Sequence, residues 1–231
     1  MSLHRTETYN CPACGHAQEF MLWESVNAQV DQEMKEKILA REFYSQKCDA
    51  CGETIQVMYT FLYHDMEHNY MVYIVPDSDP ERQAEAISQM QEMFTTAPDG
   101  EPGNMMAEIS ETYKTRIVLN YNELIEKIKI FDNELDDRLV EAMKVISLGK
   151  MSESINDKTL TGIYYDDAAA GYPALIVVFD NDEAASIKFD TDLYESLQNN
   201  LLHLFDAHTP KGYSIVNYSW ALEVLETTKP G

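Results

Sequence analysis

The 231-residue chain is long enough for one large or two modest domains, and its 45% hydrophobic and 25% charged residues are ordinary for a globular protein. Its 17 basic and 40 acidic residues give a net charge of −23, so the counter-ion release that drives nucleic-acid binding has no evident source. The charge also disfavours binding to an anionic membrane, and the longest aliphatic run, residues 174–179, is too short to span one.

The four cysteines of the chain form two matched motifs, Cys11-Pro12-Ala13-Cys14-Gly15 and Cys48-Asp49-Ala50-Cys51-Gly52. A tight turn across Cys-x-x-Cys directs both sulfurs the same way, and a following glycine can adopt the positive φ that closes the turn. Two such turns facing each other supply four soft thiolates in a tetrahedron, which suits Zn²⁺ and leaves no position for water. The spacing therefore predicts one structural zinc ion, with these ligands: Cys11, Cys14, Cys48 and Cys51.

A pair of redox-active Cys-x-x-Cys motifs is the competing interpretation. A thioredoxin-type motif begins a helix after a buried strand and acts alone. Here both motifs end in glycine and neither precedes a helical pattern, which favours zinc.

The first half of the chain is predicted to form a ribbon with an inserted helix and a hairpin. A strand over residues 18–24 follows the first motif, and Val30, Met34 and Ile38 recur at helical spacing. A strand over residues 42–47 leads into the second motif. Period-two alternation then predicts one strand over residues 55–63, a turn at 64–69 and a returning strand at 70–75.

The second half segregates helices from strands. Asp79 followed by Pro80 predicts a helix start, residues 95–104 are rich in Pro and Gly, and helices are expected at 121–131 and 134–148, with Gly149 at the C′ position. Asp190 or Thr191 should cap a later helix, and a short helix should begin at Ser219. The predicted strands cover residues 160–165, 172–179, 186–189 and 213–217.

This order predicts an α+β protein: an N-terminal zinc ribbon with an inserted helix and an antiparallel hairpin, then helices and a C-terminal α+β unit with a small, mainly antiparallel sheet. We expect domains at residues 1–115 and 116–231.

Other polar clusters have simpler interpretations than a metal or catalytic site. His64 and His68 flank two carboxylates, but in the order of a hairpin turn rather than of a zinc-protease helix. The stretch containing Asp180 and Asp182 opens like a calcium loop but lacks the required glycine, so we interpret it as a turn. Asp136-Asp137 and Asp166-Asp167 fit a helix's first turn and a hairpin turn. His16, next to the first motif, could act as a neighbouring donor but is not needed as a fifth metal ligand.

Residues 10–76 resemble the bacterial and archaeal CpXC family, named for two C-P-x-C motifs. The resemblance rests on the two cysteine motifs, the segment between them and the hairpin, and extends more weakly through residues 124–128 and 135–138. Asp49 stands where the first motif has Pro12; proline there only stiffens the turn. The resemblance implies a paired-knuckle zinc module and supplies no activity.

No phosphate-binding, dinucleotide-binding or nucleophile motif is present in the sequence. We therefore predict a non-enzymatic, cytoplasmic zinc protein that acts as an interaction or regulatory module with a protein partner. The missing apolar N-terminal segment and the paired cysteines favour a reducing compartment. The alternatives are a nucleic-acid-associated zinc-ribbon regulator, an enzyme with scattered acidic residues in the C-terminal unit, and a thiol redox sensor.

Overall fold

The computed structural model describes residues 2–95, 112–151, 159–169, 171–181 and 183–227. The chain divides into two compact units, Met1–Tyr121 and Asn122–Gly231. The described residues form ten strands and six helices, which confirms the predicted α+β class. The Pro/Gly-rich segment at 96–104 lies outside them. No helix among the described residues is both long and apolar enough to cross a membrane.

A five-stranded mixed sheet forms the centre of the first unit. Its order is β1 (Leu3–Asn10), β2 (Ala17–Asn27), β5 (Phe61–Asp65), β6 (Tyr70–Ile74) and β7 (Lys114–Val118). The β1–β2 and β5–β6 pairs are antiparallel, whereas β2–β5 and β6–β7 are parallel. Strands β3 (Ser45–Lys47) and β4 (Thr54–Gln56) form a separate antiparallel pair. The sheet and this small pair carry one cysteine motif each.

Two helices lie among the described residues of the first unit. Helix α1 (Gln32–Leu39) contains Ile38, which is fully buried, but Val30 precedes the helix and is 63% exposed, so the predicted three-residue stripe is wrong at its first member. Helix α2 (Pro80–Thr95) begins as predicted, because the Asp79 Oδ1 accepts the N–H groups of Glu81 and Arg82 at 2.9 and 3.3 Å.

The single strand predicted over residues 55–63 is wrong: the chain breaks into β4 and β5, which belong to different sheets. Tyr44 holds the crossing segment, since its carbonyl accepts the Val57 N–H at 2.9 Å and its hydroxyl donates to the Tyr59 carbonyl at 2.8 Å. Tyr44 also contacts the rings of Phe61 and Tyr121 and is fully buried. The alternating aromatic residues therefore pack in the cluster around Tyr44, so their alternation does not mark one continuous strand.

The second unit packs helices with a three-stranded sheet. Helix α3 (Tyr121–Asp132) begins at the last residue of the first unit and is followed by α4 (Asp137–Met151). Strands β8 (Leu160–Asp166), β9 (Ala174–Phe179) and β10 (Ala184–Lys188) form an antiparallel sheet in the order β10-β9-β8. Helices α5 (Thr191–His208) and α6 (Tyr218–Glu226) pack against α4.

Two details of the second unit differ from expectation. Gly149 lies inside α4 rather than at its C′ position, because the helix continues to Met151. Residues 213–217 form no strand: Ser214 makes an isolated bridge, and Tyr213 and Val216 are buried. Asp190 does cap α5, since its side chain accepts the Leu193 N–H at 3.0 Å.

Candidate metal centre

The first cysteine motif is a tight turn between β1 and β2. The Cys11 N–H donates to the His16 carbonyl at 2.8 Å, and the Gly15 N–H donates to the Cys11 carbonyl at 2.8 Å. Gly15 has φ = 75°, a conformation in which a side chain would be strained. This turn brings Cys11 and Cys14 to the same side of the hairpin's end.

The second motif repeats this arrangement between β3 and β4. The Cys48 N–H donates to the Glu53 carbonyl and the Gly52 N–H to the Cys48 carbonyl, both at 2.8 Å. Gly52 has φ = 76°. The two motifs thus have the same hydrogen bonds and the same left-handed glycine, although proline occupies the second position of only one.

The structure brings the four predicted ligand residues together. The Cys11 and Cys51 Sγ atoms are 3.8 Å apart, those of Cys14 and Cys48 are 3.7 Å apart, and all four sulfurs lie within 4.8 Å of one another. A tetrahedral ion with Zn–S bonds of about 2.3 Å separates its sulfurs by about 3.8 Å. The four cysteines therefore lie at separations consistent with a metal site.

Burial alternates within the cluster. Cys11 and Cys48, the first cysteine of each motif, are buried, whereas Cys14 and Cys51 are exposed. The cluster is thus held at the surface of the unit with its two inner sulfurs shielded from water.

Backbone donors and neighbouring sulfurs act in opposite directions on the thiols. The N–H groups of Cys51 and Ala50 lower the pKa of the Cys48 thiol to about 6. The Glu53 N–H favours the thiolate of Cys51 too, but the sulfurs of Cys14 and Cys48 outweigh it and raise the pKa of Cys51 to about 12. Four thiolates at these distances repel one another, so a bound cation is the natural means of ionising all of them together.

Gln18 joins the two motifs, a role that no sequence pattern indicated. Its Nε2 donates to the Lys47 carbonyl at 3.0 Å, and its Oε1 accepts the Asp49 N–H at 3.0 Å. A single amide on β2 therefore holds the backbone on both sides of Cys48. His16 contributes its carbonyl to the first turn and is not a member of the sulfur cluster.

The histidine turn predicted at residues 64–69 is a hairpin turn, but it is not simply solvated. The buried Asp65 Oδ1 accepts the Glu67 and His68 N–H groups, both at 3.0 Å, and Gln29 Nε2 at 2.7 Å. Burial acts to raise the pKa of Asp65, but these bonds outweigh it and hold the pKa below its ordinary value. The His64 ring contacts Tyr113 edge-on, with ring centroids 5.2 Å apart. Asp65 thus anchors the turn.

The acidic residues at 166–167 and at 180 also make contacts that stabilise the fold. Asp166 and Asp167 both contact the Lys129 Nζ, at 2.7 and 3.0 Å. The Asp180 N–H donates to the Thr159 carbonyl at 3.0 Å, and Asp182 lies outside the described residues.

Sequence patterns did not indicate a buried ionic network between α3 and α4. The Lys127 Nζ lies 3.0 Å from both Asp137 and Glu141, and the Lys144 Nζ lies 2.7 Å from Glu126 and 2.9 Å from Glu141. Each of these five side chains is at most 3% exposed. Asp137 is in the first turn of α4, as predicted, but its carboxylate is inside the unit.

The network also reaches the sheet of the second unit. The Tyr165 N–H of β8 donates to the Glu126 Oε1. Burial raises the pKa of Glu126 above its ordinary value, while the nearby Lys144 ammonium opposes this shift. The network therefore ties α3 to α4 and β8.

The fold and the cysteine cluster define an α+β protein with a module suited to a metal ion. The family model described as CpXC protein matches residues 9–144, which is more than half of the chain and contains both cysteine motifs. The chain belongs to the CpXC family. Comparisons with curated proteins and with solved structures gave no match.

Proposed function

We propose that the protein binds one Zn²⁺ through Cys11, Cys14, Cys48 and Cys51, and that the ion is structural. The observation that carries this proposal is the pair of sulfur separations, 3.8 and 3.7 Å, which match the edge of a zinc–thiolate tetrahedron. Four protein sulfurs complete the coordination of zinc, so no position is left for water or substrate. The paired turns would then form a zinc ribbon.

Zinc would connect the ends of two separate hairpins. The first motif lies at the end of the β1–β2 hairpin and the second at the end of the small β3–β4 pair, and these two belong to separate sheets. Gln18 supplies two hydrogen bonds between them. Structural zinc contributes roughly 10–16 kcal/mol in small domains, enough to fix both hairpin ends.

We further propose that the metal-stabilised unit acts as a non-enzymatic interaction or regulatory module inside the cell. Beside the cluster, an open groove is lined by Met21 and Trp23 of β2, Met34 of α1 and Phe43, together with polar and charged side chains that include Lys37, Glu42 and Lys47. Met21 is 47% exposed. Exposed apolar side chains in a groove are typical of protein-binding surfaces, so a protein partner is expected.

Elemental analysis of protein purified without added metal tests the zinc proposal. One zinc per chain is expected in the wild type and in His16→Ala, a matched control beside the cluster. Cys14→Ser and Cys51→Ser, which change exposed ligands, should lose it. Wild-type protein without zinc, whose thiols oxidise to disulfides, would contradict the proposal and favour a redox sensor.

Affinity capture tests the module proposal separately. A partner retained by the zinc-loaded protein and lost in Met21→Glu, with zinc content unchanged, would support it. Turnover by the pure protein with no partner recovered would contradict it.

A further inference from the structure

Strand β1 leaves an open edge on the sheet of the first unit. All its residues except Tyr9 are exposed, and β2 is its only strand partner among the described residues. Natural sheets usually protect such an edge with charged side chains, especially lysine, with proline, with a β-bulge or with a short strand. Strand β1 is eight residues long, contains neither Lys nor Pro, and has its register shift at its start, between Leu3 and His4. Its two charged residues, Arg5 and Glu7, are opposite in sign, so they can pair with a matching strand instead of repelling it.

The hydrogen-bond register determines which residues face outward. The Cys11 N–H donates to His16, and because bonded pairs alternate in antiparallel strands, every second residue back from Cys11 bonds to β2. Trp23, which lies opposite His4, agrees with this pattern because its N–H points away from β1 to the Tyr59 hydroxyl at 3.3 Å. The residues whose backbone groups point outward are His4, Thr6, Thr8 and Asn10.

We propose that β1 pairs antiparallel with β1 of a second copy of this chain, about a two-fold axis at Thr6. Only registers that place outward-facing residues opposite one another can form the main-chain bonds. Centring on Arg5 or on Glu7 would place like charges directly opposite, which is destabilising. A two-fold axis at Thr6 instead places Arg5 of each copy opposite Glu7 of the other copy, so that two pairs of opposite charge form.

The side chains of β1 are suited to this register. Each Thr6 faces the other, and His4 faces Thr8, so no bulky pair collides at the bonded positions. Within one chain, Arg5 lies 2.7 Å from Glu7 and 2.8 Å from Glu24, and all three are about half exposed. On pairing, Arg5 exchanges its own Glu7 for Glu7 of the second copy and keeps Glu24.

The interface is small, so the association should be weak. A pair of eight-residue strands buries much less than the roughly 1,600 Å² of a standard interface, and a charge of −23 on each copy opposes association. We expect a reversible dimer with a Kd in the micromolar range.

Sedimentation velocity over a concentration series tests the proposal. The wild type should show a monomer–dimer equilibrium. Thr6→Pro removes an outward N–H that β2 does not use, so it should abolish the dimer while leaving the β1–β2 hairpin intact. Circular dichroism and metal content check that the variant is folded.

Charge exchange tests the register and does not depend on the proline variant. Arg5→Glu and Glu7→Arg should each weaken self-association about tenfold or more, because each places like charges opposite. An equimolar mixture of the two variants should dimerise again, as should the double variant. A wild type that stays monomeric, a dimer indifferent to Thr6→Pro, or a double variant that fails to recover would overturn the proposal.

Discussion

Replacing Lys127 with methionine should strongly destabilise the second unit. The Lys127 Nζ is 3.0 Å from two carboxylates, Asp137 and Glu141, and its side chain is 2% exposed. Methionine is similar in length, so the main effect is electrostatic: three buried carboxylates would face the single remaining lysine, Lys144. Removing one member of a buried ion pair costs about 3–5 kcal/mol, and we expect a loss of this size in the free energy of unfolding.

The two tryptophans allow each unit to be followed separately. Trp23 lies in the first unit and Trp220 in the second, so urea unfolding in a Trp23→Phe background reports the second unit through fluorescence. Lys150→Met is the matched control, because Lys150 is an exposed lysine of the neighbouring helix α4 in the same unit; its effect should be within about 0.5 kcal/mol. A Lys127→Met value within about 1 kcal/mol of the wild type would refute the reasoning.

Three further predictions each concern a single residue. Gln18→Ala should keep one zinc per chain but weaken its binding about 10–100-fold in a chelator competition, because the second motif loses its support; unchanged affinity would contradict this. Lys129→Met should destabilise the second unit by less than about 1 kcal/mol at pH 7. The reason is that burial acts to raise the pKa of Asp166, whereas Lys129 helps to hold that pKa below its ordinary value. That difference should start to shrink below about pH 4, where Asp166 becomes protonated in the unfolded state, and should vanish once the pH is below the lowered pKa of the folded state. Trp220 fluorescence at pH 7 and pH 3 would show the decrease; a difference that grows on acidification would be inconsistent. Gly149→Ala should stabilise the second unit by about 0.5–1 kcal/mol in thermal unfolding, because Gly149 is inside α4 with open space where a Cβ would lie; destabilisation would argue for the C′ role.

Local signals in the sequence predicted local structure well. The cysteine motifs gave both turns because glycine and spacing act within a few residues, and Asp79 and Asp190 marked helix starts through bonds to the next turn. Residues 55–63 were misassigned because alternation cannot show where a chain leaves one sheet for another. The break depends on Tyr44, which is distant in sequence.

The buried charges were missed for a similar reason. On a helix, Glu126 and Lys127 look like solvated residues, and only the arrangement of α3 beside α4 gives each a partner of opposite charge. Gln18 is likewise an ordinary strand residue until the second motif folds against it. Side chains that join distant segments take their role from the fold.

The zinc content of the purified protein tests the central claim most directly. Protein prepared without added metal should contain one zinc per chain by elemental analysis, and Co²⁺ substitution should give the visible absorption of a tetrahedral four-thiolate site. Both signals should disappear when the four cysteines are replaced by serine. Wild-type protein that contains no zinc, and gives no such spectrum with Co²⁺ under reducing conditions, would contradict the account.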